Sequence, residues 1–378
     1  MSPLEGERPA WGRWPSPVTG RPWTVGIEEE VMLLHASDYA LAPWIDSILP
    51  TLAPHLAEHV GAETHGSALE LRTSAHDGVP SAIAELAGLR SELRSELKTR
   101  GLRAAAAGMH PMTVWQETRI SGGERYQLLY ESLRELARRE PTFALHVHVG
   151  VPDPEDALLA MNGLRSYLPL LLALSANSPF WQGRETGLAS TRTPMFGAFP
   201  RVGLPRAFAD YDDYVESIDL LLRCGAFPEP TFLWWDVRLQ PRWGTVEVRI
   251  MDAQITVEDS AGLVALVQSL VHMAISEGAA KVASHEVPEL LAENRFLAAR
   301  DGMKAQFLDS DLEGQVSAQD ALSMTLDACA PHADQLGCRD ELEGARKLGR
   351  HPGAERQRKR ARKAAGLGGV VAALADAF

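Results

Sequence analysis

Residues 24–34 read TVGIEEEVMLL, and the alternation of their side chains predicts a β-strand with two chemically different faces. One face carries the apolar side chains of Val25, Ile27, Val31 and Leu33, and the other carries Glu28 and Glu30. Glu29 falls on the apolar side or at a bulge, and the sequence suggests no role for it. Such a strand packs its apolar face against a core and presents carboxylates on the opposite face.

Paired ionisable side chains recur in ALELRT (68–73), FALHVHVGV (143–151), WWDVRL (234–239) and TVEVRIM (245–251). The pairs are Glu70 and Arg72, His146 and His148, Asp236 and Arg238, and Glu247 and Arg249. Any single pair is more commonly part of a solvated sheet face, and the two histidines alone are as compatible with buried, hydrogen-bonded residues as with ligands. A solvated face would also carry Lys, Thr, Ser and Gln. Because these pairs contain none of them, we interpret the set as one functional face.

Strands with one apolar and one polar face are typical of an antiparallel sheet, since buried parallel strands are apolar on both faces. Helical spacing and start signals predict helices over 81–100, 156–175 and 256–277, a hairpin through QPRWG, and a mainly helical segment 288–378. We therefore expect an α+β fold, with an antiparallel sheet backed by helices on one side. Residues 1–20 are expected to form a loosely ordered leader, docked by Trp11 or Trp14, and residues 21–378 a single domain.

The composition argues against several classes of protein. The net charge of −13 disfavours a nucleic-acid partner, and the basic run RQRKRARK (356–363) is better explained as the solvated face of a helix. Three cysteines without a Cys-x-x-Cys pair indicate a reducing compartment, so we expect a cytoplasmic location. The apolar stretch 168–174 is too short to cross a membrane, and the N-terminus lacks the apolar region of a signal peptide.

Glutamates gathered on one sheet face repel each other, so a positive group is expected among them. Carboxylates with one imidazole favour Mg²⁺, or Mn²⁺, over zinc, and an arginine two residues after a metal-binding glutamate would face a bound phosphate. This combination is what phosphoryl transfer requires. The loop 175–206, with Arg184, Arg192, Arg201 and Arg206, would bind a substrate carboxylate or nucleotide phosphates; the alternative is a surface loop with scattered charges.

Seven blocks of the sequence resemble glutamate–cysteine ligase type 2, a family of ATP-dependent carboxylate–amine ligases. They run in order from about residue 23 to the C-terminus: VGIEEE (25–30), LHVHVGV (145–151), ANSPFWQGRETGLASTR (176–192), FPRVGLP (199–205), WWDVRLQPRWGTVEVRIMD (234–252), ENRFLAARDGM (293–303) and GAERQR (353–358). The resemblance implies a glutamine-synthetase-like catalytic domain, in which the concave face of a curved antiparallel sheet binds ATP, metals and glutamate and helices cover the convex face. Three positions depart from the family pattern: Glu185, Thr191 and Phe199.

The resemblance also assigns roles to individual residues. The implied metal ligands are Glu28, Glu30, Glu63, Glu70, His146 and Glu247. His148 would lie near the nucleotide, Arg249 would contact the transferring phosphate, and Glu247 and Arg249 would be the catalytic pair. The implied substrate-side residues are Arg184, Arg192, Trp235 and Arg238.

The predicted reaction is amide formation, of the γ-glutamyl type, through an acyl phosphate, with release of ADP and phosphate. We expect ATP and small-molecule acid and amine substrates, no nucleic-acid or membrane partner, and a homodimer as a plausible assembly. Two alternatives stay open. A His-x-His strand also occurs in metal-dependent amidohydrolases, and a non-catalytic nucleotide-binding protein would share the fold.

Overall fold

The computed structural model describes residues 8–15, 22–139, 141–278, 287–364 and 366–378. The strands in chain order are β1 Val25–His35, β2 Val60–Ala62, β3 Ala68–Arg72, β4 Leu102–Ala105, β5 Ala144–Gly150, β6 Phe180–Trp181, β7 Arg184–Glu185, β8 Val202–Gly203, β9 Trp234–Trp235, β10 Val237–Gln240, β11 Thr245–Asp252, β12 Gln306–Asp309 and β13 Gly314–Ser317. Within the described residues, seven of them form the main sheet, in the order β10-β11-β5-β1-β3-β2, with β4 also paired to β1. Every pairing in this sheet is antiparallel.

The strand register gathers the ionisable pairs on one face. Glu28 lies opposite His146, Glu30 opposite Glu70, and Glu247 lies between His148 on one neighbouring strand and Arg238 on the other. Because directly opposed residues project to the same side of a sheet, five strands contribute to one polar surface.

Helices cover the opposite, apolar face of the sheet, and others flank its polar face. They are α1 Ile45–Ile48, α2 Pro54–His59, α3 Val79–Thr99, α4 Glu124–Leu133, α5 Glu135–Arg138, α6 Pro154–Leu164, α7 Leu168–Ser175, α8 Arg192–Phe196, α9 Tyr211–Arg223, α10 Val257–Glu277, α11 Pro288–Asp301, α12 Ala318–Leu336, α13 Arg339–Arg350, α14 Gly353–Lys363 and α15 Gly368–Ala377. α3 packs on β1, β3 and β4, and α10 packs on β5 and on α3, α6, α12 and α13. The main hydrophobic core joins these helices to the inward side chains of the strands. The α+β prediction, with helices on one side of an antiparallel sheet, is confirmed.

The predicted helix 156–175 is wrong as a single element. The chain instead forms α6, a 3-10 turn over Arg165–Tyr167, and α7. Asp153 caps α6 by accepting hydrogen bonds from two backbone amides, so the helix begins earlier than predicted. Pro169 lies in the first turn of α7, where its missing N–H costs nothing, and inside a longer helix it would leave a carbonyl unpaired. The helix predicted over 256–277 is confirmed as α10, and Thr256 caps it by accepting from the amide of Asp259.

The hairpin predicted for 234–239 and 245–251 is confirmed, but its first arm is shifted. The arm is β10, Val237–Gln240, whereas Trp234 and Trp235 leave the sheet and pair in parallel with β8. The segment 288–378 is mainly helical as predicted and adds the small hairpin β12–β13.

Part of the N-terminal segment docks against the domain. Trp14 donates from Nε1 to the carbonyl of Val151 at 2.8 Å, and Trp11 donates to Asp219 at 3.2 Å. The rest of the expected leader, residues 1–7 and 16–20, lies outside the described residues.

Two helical segments are long and apolar enough to cross a membrane by composition, Pro154–Ser175 and Val257–Glu277. Most of each segment is buried inside the molecule, as core helices are, so the two segments are weak evidence for a membrane span.

Candidate active site

A cavity of about 750 Å³ opens on the polar face of the sheet. Its wall contains most of the residues predicted for the site, namely Glu28, Glu30, Glu63, Glu70, His146, Arg192, Arg238 and Arg249. Strand alternation explains the arrangement, because the same backbone that buries Ile27 and Val248 in the core directs Glu28 and Arg249 into the cavity.

Three groups of side chains could each hold a cation. In every group the ligand atoms lie within 4.8 Å of one another: Glu30, Glu63 and Glu70; Glu28, Glu70 and His146; and Glu28, His148 and Glu247. Glu28 and Glu70 each belong to two groups, so the groups form a continuous band along the sheet.

The group of Glu30, Glu63 and Glu70 is strongly acidic. Burial, together with the charge of Glu63, raises the pKa of Glu30 to about 8. Burial also raises the pKa of Glu63 and of Glu70, and the neighbouring carboxylates add to the shift of Glu70. Arg72 lies 3.6 Å from Glu70 but is half exposed. The three carboxylates supply oxygen ligands and lack a buried positive charge beside them, and both properties suit a hard divalent cation such as Mg²⁺.

Glu247 is already neutralised by arginines. Arg238 donates to it from Nε at 2.6 Å and from Nη2 at 3.2 Å, and Arg249 also donates to it. Although burial raises the pKa of Glu247, Arg238 and Arg249 hold it well below the usual range. Glu247 therefore fixes two guanidinium groups at this end of the cavity, which is a second role beside the predicted one of metal ligand.

The two histidines differ in protonation. Burial and the charge of Arg249 lower the pKa of His146 to about 4, so its imidazole is neutral near pH 7. A neutral imidazole has a nitrogen lone pair that can bind a metal ion. Burial also opposes charge on His148, but Glu247 and Glu28 outweigh it and raise its pKa. His148 Nε2 lies 3.5 Å from Glu28 and 3.9 Å from Glu247. His148, which is predicted to lie near the nucleotide, is therefore also close to the possible metal ligands Glu28 and Glu247.

The predicted substrate-side residues are only partly brought together. Arg192 is buried in the cavity wall, where it donates to the carbonyls of Ile250 at 3.0 Å and Arg249 at 3.3 Å. Arg184 is exposed on β7 and does not line the cavity, so its substrate-side role stays a prediction. Trp234 lines the cavity whereas Trp235 packs beside Phe208, so the substrate-side role of Trp235 also stays a prediction. Trp234 has the same parity as Arg238, so the alternation of β10 extends to it although β9 pairs with β8.

Of the three departures from the family pattern, one lies in the cavity wall. Phe199 lines the cavity and contacts Phe196 edge-on, with ring centroids 5.2 Å apart. Glu185 is exposed and pairs with Arg358 at 2.9 Å, and the hydroxyls of Thr191 and Thr186 lie 2.8 Å apart. Phe199 is therefore the departure that bears on substrate.

Two buried carboxylates support the site without lining it, and sequence reasoning missed both roles. Glu29 accepts two hydrogen bonds from Arg90, at 2.6 and 2.7 Å, behind the sheet. The sequence of the predicted helix 81–100 contained a signal for this pair, because Arg90 lies on the apolar face of that helix, where a charged residue needs a partner. Asp252 accepts from the hydroxyls of Ser178 and Ser190, at 2.7 and 3.0 Å, and so holds the loop 175–206 against β11.

The cavity also has lining residues that no sequence pattern indicated. They are Trp11 from the docked N-terminal segment, Tyr126, Leu129, Leu133 and Ala137 from α4 and α5, and Trp243 from the turn between β10 and β11. Trp243 is 64% exposed, which is unusual for a tryptophan. In a sequence, aromatic residues usually indicate a buried core. Only the position of Trp243 in the turn between two predicted strands indicated an exposed side chain.

Comparison with known proteins places this chain among ligases. Residues 24–373 match the sequence family described as glutamate–cysteine ligase family 2. A Rubrobacter xylanophilus protein with the provisional name glutamate–cysteine ligase 2-1 is 40% identical over 356 residues, 94% of each chain. A Sorangium cellulosum protein with the provisional name glutamate–cysteine ligase 2 is 36% identical over 329 residues, 86% of this chain and 88% of that one.

Solved structures agree on the fold. Glutamate–cysteine ligase from Francisella tularensis, in complex with AMP, aligns with a TM-score of 0.67 at 13% identity, covering 94% of this chain and 88% of that chain. A bifunctional glutathione synthetase from Pasteurella multocida also aligns at 0.67, with 15% identity, covering 94% of this chain and 52% of that chain.

Proposed function

The chain belongs to glutamate–cysteine ligase family 2 and is an ATP-dependent carboxylate–amine ligase, and from this premise we propose that it joins glutamate to an amine through an acyl phosphate. The observation that carries the proposal is the convergence of five acidic side chains, two histidines and two arginines in one cavity and its wall, from five strands and the segment after β2. Carboxylates for a divalent cation and arginines for phosphate are the two requirements of phosphoryl transfer.

The charge distribution suggests how substrates are oriented. The end of the cavity formed by β10 and β11 carries Arg238, Arg249 and, at its rim, Arg242 beside Trp243. The other end carries Glu30, Glu63 and Glu70. Phosphates favour the first end directly, whereas the second end favours a divalent cation. The base of ATP would then stack on the exposed ring of Trp243, which lies in the turn before β11, four residues before Glu247.

The residues that would hold Mg²⁺ are those of the acidic band, Glu28, Glu30, Glu63, Glu70 and His146, with Glu247 or His148 at the arginine end. When bound, Mg²⁺ neutralises the β- and γ-phosphates of ATP. Mn²⁺ has the same preference for oxygen ligands and is the alternative ion.

The side chains of the protein then position the reacting groups and stabilise the charge on the transferring phosphate. A carboxylate oxygen of the acid attacks the γ-phosphorus of ATP, so a new O–P bond forms while the bond from phosphorus to ADP breaks. Arg249, held in place by Glu247, stabilises the charge on the equatorial oxygens. The uncharged amine then attacks the acyl carbon, so a C–N bond forms, the C–O bond to phosphate breaks, and the nitrogen releases a proton to solvent as phosphate leaves. No cysteine takes part in this scheme: Cys329 and Cys338 are buried, and burial raises the pKa of Cys329 to about 12.

The family match does not favour the two alternatives, an amidohydrolase and a non-catalytic nucleotide-binding protein. The proposal further includes residues 21–378 as a single catalytic domain, a cytoplasmic location where ATP is available, small-molecule substrates without nucleic acid or membrane, and a homodimer.

The test measures acyl-phosphate formation with and without an intact site. Purified protein is incubated with ATP, Mg²⁺ and L-glutamate, and hydroxylamine replaces the amine so that the acyl phosphate is trapped as a coloured hydroxamate. Glu28→Gln is expected to lower the rate at least about a hundredfold, because it belongs to two ligand groups. Glu58→Gln, on the exposed side of α2, is the matched control. Hydroxamate formation at the wild-type rate by Glu28→Gln would overturn the site assignment.

A further inference from the structure

The N-terminal segment of residues 8–15 is bound to the domain through α9. Trp11 donates from Nε1 to Asp219 at 3.2 Å, and the hydroxyl of Tyr211 donates to the carbonyl of Gly12 at 3.0 Å. The fit is close, because a Cβ atom on Gly12 would lie only 3.0 Å from a side chain of the same helix. The residues that match the family begin at 24, so the family match gives this segment no role.

The same segment supports the turn between β10 and β11. A Cβ atom on Gly244, the last residue of the turn, would lie 3.2 Å from Pro15 and 3.5 Å from Nε1 of Trp14. Gly244 also has a φ of 65°, a backbone conformation that glycine adopts without strain. The turn that carries Trp243 is therefore packed directly against the N-terminal segment.

Two tryptophans, one from the segment and one from the turn, line the same cavity. Trp11 is partly buried and Trp243 is 64% exposed. The guanidinium of Arg242 lies 4.8 Å from the ring centroid of Trp243. In the part of the chain that the structure describes, the two indole rings make no ring contact with each other. Both rings can therefore contact a ligand in the cavity.

Both rings belong to the end of the cavity formed by β10 and β11. Trp243 directly follows Arg242 in the turn. Trp11 is held by α9, and Tyr214 of that helix donates to the carbonyl of Leu239 in β10 at 3.3 Å. The two indoles thus lie beside the strands that carry the arginines proposed to bind phosphate. A nucleotide whose phosphates reach those arginines presents a flat base on which an aromatic ring can stack.

We propose that Trp11 forms the second wall of the pocket for the nucleotide base, across from Trp243, so that the N-terminal segment is part of the active site. This inference rests on the proposed function, because it concerns the ATP of the same reaction. The base lies between an indole fixed by α9 and an indole carried by the turn. Stacking on Trp11 contributes to the binding of the base and makes no contact with the reacting phosphate, so Trp11 determines nucleotide affinity and not the rate of the chemical step.

The experiment compares a ligand that has a base with one that has none. ADP and inorganic tripolyphosphate are measured as inhibitors of the hydroxamate reaction of the full chain, with ATP as the varied substrate. Trp11→Ala is expected to raise the KM for ATP and the Ki for ADP about 5- to 150-fold. The kcat, the KM for glutamate and the Ki for tripolyphosphate should stay at their wild-type values.

Two matched variants control for other effects of the substitution. Trp11→Phe keeps an aromatic ring and loses the hydrogen bond to Asp219, so a Ki for ADP near wild type shows that the ring is what matters. Trp44→Ala removes a tryptophan that is 46% exposed and does not line the cavity, and it should change neither Ki. An unchanged Ki for ADP in Trp11→Ala, or equal increases for ADP and tripolyphosphate, would overturn the inference.

The double variant Trp11→Ala/Trp243→Ala separates direct contact from support of the turn. Two rings that stack on different faces of one base act independently, so the Kd for ADP should rise by about the product of the two single increases. A double variant that binds ADP as well as Trp243→Ala alone would overturn the inference, because Trp11 would then only position Trp243.

Calorimetry distinguishes failure of this inference from failure of the proposed function. The Kd for ADP in Mg²⁺ is measured without any turnover, so it reports on Trp11 whether or not the acyl phosphate forms. Absence of hydroxamate in the wild type refutes the ligase chemistry. Hydroxamate formation together with an unchanged Kd for ADP in Trp11→Ala refutes the second wall and leaves the chemistry intact.

Discussion

The replacement Glu63→Gln tests whether the acidic group is built for a cation, because the variant should be more stable than the wild type without Mg²⁺ and less stable with it. Glu63 shares a ligand group with Glu30 and Glu70, with ligand atoms within 4.8 Å. Glutamine has nearly the same shape and retains an oxygen that can accept the amide hydrogen bond of Thr64. The substitution therefore removes mainly one negative charge.

The magnitude follows from the spacing. Two like charges 4.8 Å apart at an effective dielectric constant of 20 repel by about 3.5 kcal/mol. Proton uptake relieves part of this repulsion, since the pKa of Glu30 is about 8, and water enters the cavity. At pH 8 in EDTA we therefore expect Glu63→Gln to raise the free energy of unfolding by about 1–3 kcal/mol.

Mg²⁺ should reverse the order of stability of the variant and the wild type. A ligand at a hundredfold excess over its Kd stabilises the native state by about 2.7 kcal/mol, and the variant loses one of three ligands and most of this gain. The assay is urea unfolding at pH 8 in EDTA and in millimolar Mg²⁺, with the exposed Glu58→Gln as control. A variant less stable than wild type in EDTA, or equal stabilisation of both proteins by Mg²⁺, would refute the reasoning.

Three further predictions concern the core, pH and the nucleotide. Arg90→Met leaves the buried carboxylate of Glu29 unpaired and should lower the free energy of unfolding by about 3–5 kcal/mol, with partial recovery in Glu29→Leu/Arg90→Met, as measured by urea titration. Burial lowers the pKa of His110 to about 4, so its stabilisation is complete above pH 6.5 and is lost as the pH falls to 4, a change of about 3 kcal/mol that should be absent in unfolding curves of His110→Gln. Trp243→Ala should raise the KM for ATP about 5- to 150-fold through lost stacking, whereas Trp243→Phe stays near wild type and the KM for glutamate is unchanged in both. An unfolding free energy of Arg90→Met near wild type, an equal pH slope in His110→Gln, or an unchanged KM in Trp243→Ala would contradict the respective prediction.

The site face was predictable from the sequence because strand alternation is strictly local. Glu28, His146 and Arg249 could each be assigned to the polar side of a strand by counting residues. Their convergence follows from the antiparallel register, which the one-sided apolar stripes also indicated.

Other features depend on tertiary context. The strand predicted over 234–239 is divided, because β9 pairs with β8 instead of β11, although Trp234 keeps the parity of Arg238 and lines the cavity. Arg90 falls within an apolar stripe, and only the packing of α3 against β1 identifies Glu29 as its partner. The face of α4 and α5 resembles an ordinary amphipathic helix in sequence, and it lines a cavity only because the sheet beneath it is polar.

The most direct measurement follows the oxygen atoms of the substrate carboxylate. If glutamate attacks ATP through its carboxylate, one oxygen of that group leaves with the phosphate. With ¹⁸O-labelled L-glutamate, ATP, Mg²⁺ and an accepted amine, mass spectrometry should find one ¹⁸O in each phosphate released. Phosphate without label, formed while the amide accumulates, would contradict an acyl-phosphate mechanism in this cavity.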